Sequence, residues 1–388
     1  MSEPVAIAAA FELPPGRYPE QDCVGLFRQV LKGLIGQCPI RPQDIDGLLT
    51  CPSGGVAGFD PYVHEKLISE LGIRPSMAEV MNLGGASFAA MVDRAASAIR
   101  SGLASAVICI GAGKFMKPSA GGAELMARVT SDTVLEMPYG TFIPALYALI
   151  ASQFMAERGA TKTDLARVAV AHRKWAVRNP HARMAGAGEI TVEDVLASRP
   201  IATPYNLLDC SVPCDGGGAV IVARGDLARK WTEQPAWVLG YGEHHSRGAL
   251  SDRGNLLETG AAQAGARAFQ QAGLGPADID VAQLYDAFSS SPLILLEELG
   301  FCAPGEAARF VASGAIDPGG SLPVNTYGGL LSFGHTGDSS GMSMLTAGAL
   351  QAMGKAGPTQ VENANHVLVH TYGGIMFDHA TLILGRQP

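Results

Sequence analysis

Two stretches decide the fold: IRPQDIDGLL at residues 40–49 and LGPADIDVAQL at residues 274–284. Their Asp-Ile-Asp cores lie 234 residues apart, counted from Asp44 to Asp278. Each follows an amphipathic helical pattern, VGLFRQVLKGLIGQ (24–37) or GARAFQQAG (265–273), and each leads into a short apolar strand, GLLTC or VAQLY. Leu26, Val30, Leu31 and Leu34 recur at helical spacing. A second pair of elements follows in the same order. GGASFAAMVDRAASAIRSG (84–102) is a glycine turn and a small-residue helix running into the strand SAVICIGAG (105–113). GGLLSFGHTGDSSGMSMLTAGALQAMG (328–354) likewise runs into a helix, followed by the strand NHVLVHTYGG (365–374).

Matching elements in the same order predict a duplicated αβ unit. Helices alternating with apolar strands give an α/β protein whose sheets are covered by helices. The helix over 86–101 has almost no charge, so it is expected to be buried on all sides. One such helix per half implies central helices between two sheets, hence more than two layers. The expected halves are 1–225 and 226–388. An insertion at about 114–205 interrupts the first, with KPSAGG (117–122), a helix from Pro144 to Arg158 and HRKWAVRNPHARMAG (172–186). The strand GGGAVIVAR (216–224) closes the first half.

Composition narrows the function. Of 388 residues, 47% are hydrophobic and 16% charged, which excludes a disordered, charge-patterned binding protein. The 48 glycines have no collagen-like period and sit in turns. A net charge of −8 without a Lys/Arg run makes nucleic acid and anionic membrane poor partners. The seven cysteines are odd in number and irregularly spaced, with no zinc-ligand pattern, so reduced thiols in a cytoplasmic protein and no bound metal are expected. Cys109 is expected to be buried in a strand. No apolar run is long enough to span a membrane, and the N-terminus reads as a first strand rather than a signal peptide.

Five segments carry a resemblance over nearly the whole chain: NLGGASFAAMVDRAASAIRSG, CDGGGAVIVAR, LYDAFSSSPLILLEELGF, VNTYGGLLSFGHTG and HTYGGIMFDHATLILG. In that order they resemble the thiolase superfamily, specifically its lipid-transfer-protein-like (sterol carrier protein type) branch. The resemblance implies a five-layered αβαβα fold, a coenzyme A thioester as substrate with no tightly bound cofactor, and at least a homodimer. It also implies that the insertion is the loop domain covering the CoA.

Thiolases place a nucleophilic cysteine at the start of the first-half central helix, and the matching position here is Gly85. No cysteine lies between Cys51 and Cys109. The family's second cysteine precedes a glycine pair near the C-terminus, where this chain reads His370-Thr371-Tyr372-Gly373-Gly374. What the resemblance retains is Gly334-His335, matching the Gly-His motif that stabilises an enolate oxygen, and Tyr285-Asp286-Ala287-Phe288, with Tyr285 where a water-holding residue stands. Thiolase-like aldolases acting on steroid side-chain CoA esters share this tyrosine but carry a second tyrosine where this chain has His335.

An enolate-stabilising site without an acyl-carrying thiolate fits retro-aldol cleavage of a bulky β-hydroxyacyl-CoA, sterol-like or aromatic. Tyr285 and His335 are the main acid–base candidates: a phenol titrates near 10 and an imidazole near 6.5. Asp286 is expected to be structural. Tyr327, Tyr372, His370 and His379 are further candidates, each with an alternative as a packing or backbone-bonded residue; for His379 that alternative is accepting a backbone hydrogen bond. Gly84 and Gly85 are expected to leave room for a branched β-carbon. Ser87, Cys210 and Cys214 are the remaining nucleophile types, without a visible base. Arg173, Lys174, Arg178 and Arg183 either meet the CoA phosphates or form a solvated helix face. Two alternatives stand beside the lyase: a thiolase or acetyl-CoA acyltransferase with a non-standard nucleophile, and a non-catalytic subunit. The resemblance also implies a separately encoded small OB-fold, zinc-ribbon partner forming a heterotetramer.

Overall fold

The computed structural model describes residues 3–52, 60–115, 122–246 and 248–388. Most of the KPSAGG opening of the insertion (117–121) therefore lies outside the described residues. The first half contains β1 (Val5–Glu12), α1 (Cys23–Ile35), β2 (Gly47–Thr50), α2 (Val63–Leu71), β3 (Met77–Val80), α3 (Ser87–Arg100) and β4 (Ala106–Gly113). The insertion supplies α4 (Gly122–Thr130), α5 (Ile143–Arg158), α6 (Lys162–Ala176), α7 (Val192–Ala197) and the short strands β5 (Pro200–Ala202) and β6 (Tyr205–Asn206). The chain returns through β7 (Gly216–Arg224) and α8 (Gly225–Trp231). The second half runs β8 (Ala236–His245), α9 (Ala261–Ala272), β9 (Val281–Leu284), α10 (Ser290–Glu298), α11 (Ala307–Ala312), α12 (Gly329–Ser332), α13 (Gly341–Ala352), β10 (His366–Gly373) and β11 (Asp378–Gly385).

The predicted duplication is present in the strand order. The first half reads β3-β2-β4-β7-β1 and the second β9-β10-β11-β8. In each half the inner neighbours are parallel (β2 with β4, β9 with β10) and the closing strands antiparallel. A single parallel bridge from Ala282 to Val324 stands where β3 pairs with β2 in the first half. Antiparallel pairing of Ala6 with Trp237 and Ile7 with Ala236 joins the halves into nine strands.

The repeated Asp-Ile-Asp has the same physical job twice. Asp44 and Asp278 accept the backbone N–H of Arg41 and Gly275, three residues back, closing a tight helical turn. Asp46 then accepts the N–H groups of Ser105 and Ala106 at the start of β4, and Asp280 those of Asn365 and His366 at the start of β10. One short motif thus ends a turn, starts a strand and fixes its neighbour's register.

α3 and α13 each touch strands of both halves and each other, while α1, α2 and α8 cover the first half and α9 the second. The layers are helix, sheet, helix, sheet, helix, the five-layered αβαβα order expected. Alternation along β4 serves two of them: Val107 and Cys109 face the central core, Ile108 and Ile110 the outer one. α8 packs on β1 and β7 of the first half. The insertion docks on the second half through α6, which packs against α10, α11 and α12.

Replacing Asp280 with alanine leaves two strand N–H groups without their carboxylate. Asp280→Ala is expected to lower unfolding free energy by about 2 kcal/mol, read from a denaturant melt. An unchanged midpoint would remove Asp280 as the strand anchor.

Candidate active site

The centre of the site is built where β9 stops. Asn325, held at a positive φ of 52°, brackets Leu284 by donating to its carbonyl and accepting from its N–H. Tyr285 N–H donates to His370 O, so the next residue still leaves the sheet in a fixed direction. The buried phenol ring of Tyr285 crosses to the N-terminal ends of the two central helices. There its ring lies against Gly85: a Cβ at Gly85 would stand 2.2 Å from Tyr285 Cε2 and 2.5 Å from Tyr372 O. Gly341, at the start of α13, is equally confined, since its Cβ would meet Gly85 O at 1.9 Å.

Ser340 and His335 both reach the phenol hydroxyl. Ser340 Oγ lies 2.5 Å from Tyr285 Oη, and His335 Nε2 lies 3.3 Å from it. The His335 backbone is pinned by its N–H to Val212 O and its carbonyl to Cys214 N–H. The imidazole packs edge-on against Phe115, and Nδ1 accepts the N–H of Gly337 at 3.2 Å. The proton of the neutral ring therefore sits on Nε2 and points at Tyr285. Loss of hydration pushes the His335 pKa down to about 4.

The C-terminal part of the chain, residues 242–386, matches the family described as thiolase C-terminal domain-like. Over 93% of its length the chain is 34% identical to the 17-hydroxy-3-oxo-4-pregnene-20-carboxyl-CoA lyase of Mycobacterium tuberculosis, covering 93% of that protein. It is 32% identical to an acetyl-CoA acetyltransferase of Methanothermobacter thermautotrophicus, over 91% of this chain and 92% of that one. The chain belongs to the thiolase superfamily. Among solved structures, an Ltp2-ChsH2(DUF35) aldolase superposes with a TM-score of 0.85 at 30% identity, covering 99% of this chain and 98% of that one.

Against the thiolase pattern, the expectation of open space at Gly85 is corrected. The Tyr285 ring and the Tyr372 carbonyl fill it, so a cysteine side chain there has no volume to occupy. Gly84 is also confined, by Gly373. Ser87 is committed to the turn: its Oγ accepts from Leu83 N–H and donates to Gly84 O. The thiols of Cys210 and Cys214 are both pushed up by burial, Cys210 to about 12, the reverse of an activated thiolate.

The other tyrosines and histidines divide sharply. Tyr372 touches the site: its ring centroid is 4.5 Å from that of Tyr285 and its hydroxyl donates to Ser291 Oγ. Tyr327 packs on Phe333 with its hydroxyl buried and, among the described residues, unpartnered. His370 and His379 form a buried chain: Thr381 Oγ1 bonds His370 Nδ1, and His370 Nε2 bonds His379 Nδ1 at 3.0 Å. His379 Nε2–H donates to Met376 O, so it is a donor to the backbone and not the acceptor expected. Burial keeps both neutral, with His370 pushed down to about 3. Asp286 is buried and structural, accepting from His172 Nδ1 and from the Leu330 and Leu331 N–H groups, which ties α6 to α12.

The basic stretch 172–183 is not one cationic face. Arg173 is buried, donating to Ser332 Oγ and Gly188 O, and Lys174 pairs with Asp317. Arg178 is exposed beside Trp175. Arg183 is also exposed, and its charge, with that of Arg17, reaches the Cys214 thiol next to the His335 turn. Arg17 and Ser340 are brought to the site by packing; nothing in the local sequence marks either, and Ser340 simply leads into α13.

Two measurements check this site. Gly85→Ala is expected to lose about 1–3 kcal/mol by overpacking, seen as an earlier denaturant midpoint, with the Tyr285 ring displaced. For pH, the folded His335 and His370 stay neutral down to about 4 and about 3, whereas unfolded imidazoles protonate below about 6.5. The unfolded chain therefore binds more protons in that window. Stability is expected to be full above pH ~6.5 and to fall as the pH drops towards ~4; denaturant midpoints equal at pH ~7 and ~5 would contradict the assignment.

Proposed function

We propose that this thiolase-superfamily chain is an acyl-CoA carbon–carbon lyase, cleaving a bulky β-hydroxyacyl-CoA by retro-aldol chemistry. The observation that carries the reading is the Tyr285 ring lying in the space beside Gly85, with its hydroxyl on His335 Nε2 and Ser340. A site arranged this way has a phenol where an acyl-carrying thiolate would need room. Similarity to a CoA lyase of Mycobacterium tuberculosis and to a solved aldolase supports the same choice.

The roles follow from the proton positions. His335 Nδ1 is occupied and its Nε2 carries hydrogen, so it serves as a donor to the developing enolate oxygen rather than as a base. Tyr285 Oη is the base, as phenolate, for the substrate's β-hydroxyl. As that proton moves to Tyr285, the C–O bond becomes a carbonyl and the Cα–Cβ bond breaks. Its electron pair passes into the thioester, giving an enolate that is protonated at Cα by the proton Tyr285 has taken, which returns Tyr285 to phenolate. The products are an aldehyde or ketone and a shortened acyl-CoA, with no covalent enzyme intermediate.

Arg183 and Arg17 are the proposed contacts for the CoA phosphates, replacing the four-residue basic face first considered. We place the enzyme as a homodimer, with a small OB-fold, zinc-ribbon partner completing a heterotetramer. The paired name of the solved Ltp2-ChsH2(DUF35) aldolase supports an assembly of two different components.

The test is a panel of β-hydroxy- and β-ketoacyl-CoAs, with and without free CoA and partner, followed by mass spectrometry. Cleavage of a β-hydroxyacyl-CoA without free CoA is expected. It should fall by at least ~10²-fold in Tyr285→Phe and in His335→Ala. Cleavage of β-ketoacyl-CoA only when CoA is added would mean thiolysis, as the similarity to an acetyltransferase would have it. No turnover in any combination would make the chain a non-catalytic subunit.

A further inference from the structure

Ser340 ends the 3-10 turn Gly337–Ser340 and leads straight into α13 with a helical backbone, φ −65° and ψ −27°. An N-cap serine has extended backbone, so capping the helix does not account for this hydroxyl. The side chain is fully buried, and its Oγ lies 2.5 Å from Tyr285 Oη. A buried hydroxyl with no capping role, 2.5 Å from one phenol, is placed to serve that phenol. The approach depends on two missing side chains, because a Cβ at Gly341 would strike Gly85 O and a Cβ at Gly85 would strike the Tyr285 ring.

We infer that Ser340 is a positioning residue for Tyr285, exchanging donor and acceptor roles with it as the phenol loses and regains its proton. The inference rests on the reading of Tyr285 as the base. While the phenol keeps its proton, its O–H donates to Ser340 Oγ. Once that proton has left to solvent, the Ser340 O–H turns and donates to the phenolate, beside His335 Nε2–H. A hydrogen bond to an ionised oxygen is roughly twice as strong as a neutral one, so Ser340 favours the basic form. When the substrate's β-hydroxyl proton arrives on Tyr285, the Ser340 hydroxyl turns back. One proton moves, and no oxidant or reductant is needed. Alanine can play neither role, whereas threonine can play both.

Titratable groups near the phenol include His335, Tyr372, Tyr327 and Asp286, with Glu12 beside Tyr327. His335 is held neutral, and Tyr372 and Tyr327 are pushed up by burial. Asp286 is turned onto His172, and Glu12 is bonded by Ser343 and Thr346 of α13.

The experiment reads the ionisation of Tyr285 directly, as the phenolate absorbance difference between each protein and its Tyr285→Phe counterpart across a pH titration. Ser340→Ala is expected to raise the Tyr285 midpoint by about one pH unit, and Ser340→Thr to restore it. In turnover, Ser340→Ala should lose about tenfold in kcat with KM unchanged, again restored by threonine. If the alanine variant does not fold, Ser340→Cys, a near-isostere and weak donor, is expected to move the midpoint the same way. A midpoint that stays put in the folded variant overturns the inference even if the enzyme is active. A midpoint that moves while no variant cleaves a β-hydroxyacyl-CoA leaves the inference standing and overturns the lyase reading.

Discussion

The site depends on a close approach between three chain segments that side chains would forbid. The start of α3 at Gly85, the start of α13 at Gly341 and the ring of Tyr285 come together only because two of the three positions lack a Cβ. Both central helices begin at this point, so the ends of two buried helices and the end of β9 share one small volume. That volume holds one group of substance, and in this chain it is a phenol. The chemistry open to the site follows from this exclusion more than from any single reactive residue.

Around that volume the polar groups are kept neutral. The imidazoles of His335, His370 and His379 all lose hydration without gaining a carboxylate partner, and all are pushed below the ordinary histidine range. The buried carboxylate nearby, Asp286, is spent on α6 and α12. Among the described residues, the Tyr285 hydroxyl is met by oriented hydrogen bonds with Ser340 and His335. Such an arrangement needs little reorganisation when charge develops on a substrate oxygen.

The architecture serves this arrangement through repetition. Each Asp-Ile-Asp fixes the start of one central strand in its own half, and those strands, β4 and β10, flank the central helices. The two halves are then joined by a short antiparallel contact between β1 and β8. Among the described residues the insertion adds no strand to the main sheet; it leans on the second half through α6.

Much of this was legible in the sequence, because hydrophobic periodicity and repeated turn chemistry are local properties. The duplicated halves, the central helix 87–100 and the buried strand holding Cys109 follow from residues read in order. Tyr285 and His335 enter as acid–base candidates through the resemblance carried by YDAF and FGHTG. What the linear chain did not contain was distance. Gly85 read as empty space, and only the packing of residues 200 apart shows the Tyr285 ring inside it. Arg173 read as a surface cation, yet α6 turns it inward beneath α12. Ser340 carries no signal in the sequence, and packing sets its hydroxyl on Tyr285. The sequence by itself determined which elements form and which residue types are available to the site. The tertiary structure decided which of them touch, because volume exclusion and loss of hydration arise only where segments remote in the chain are packed together.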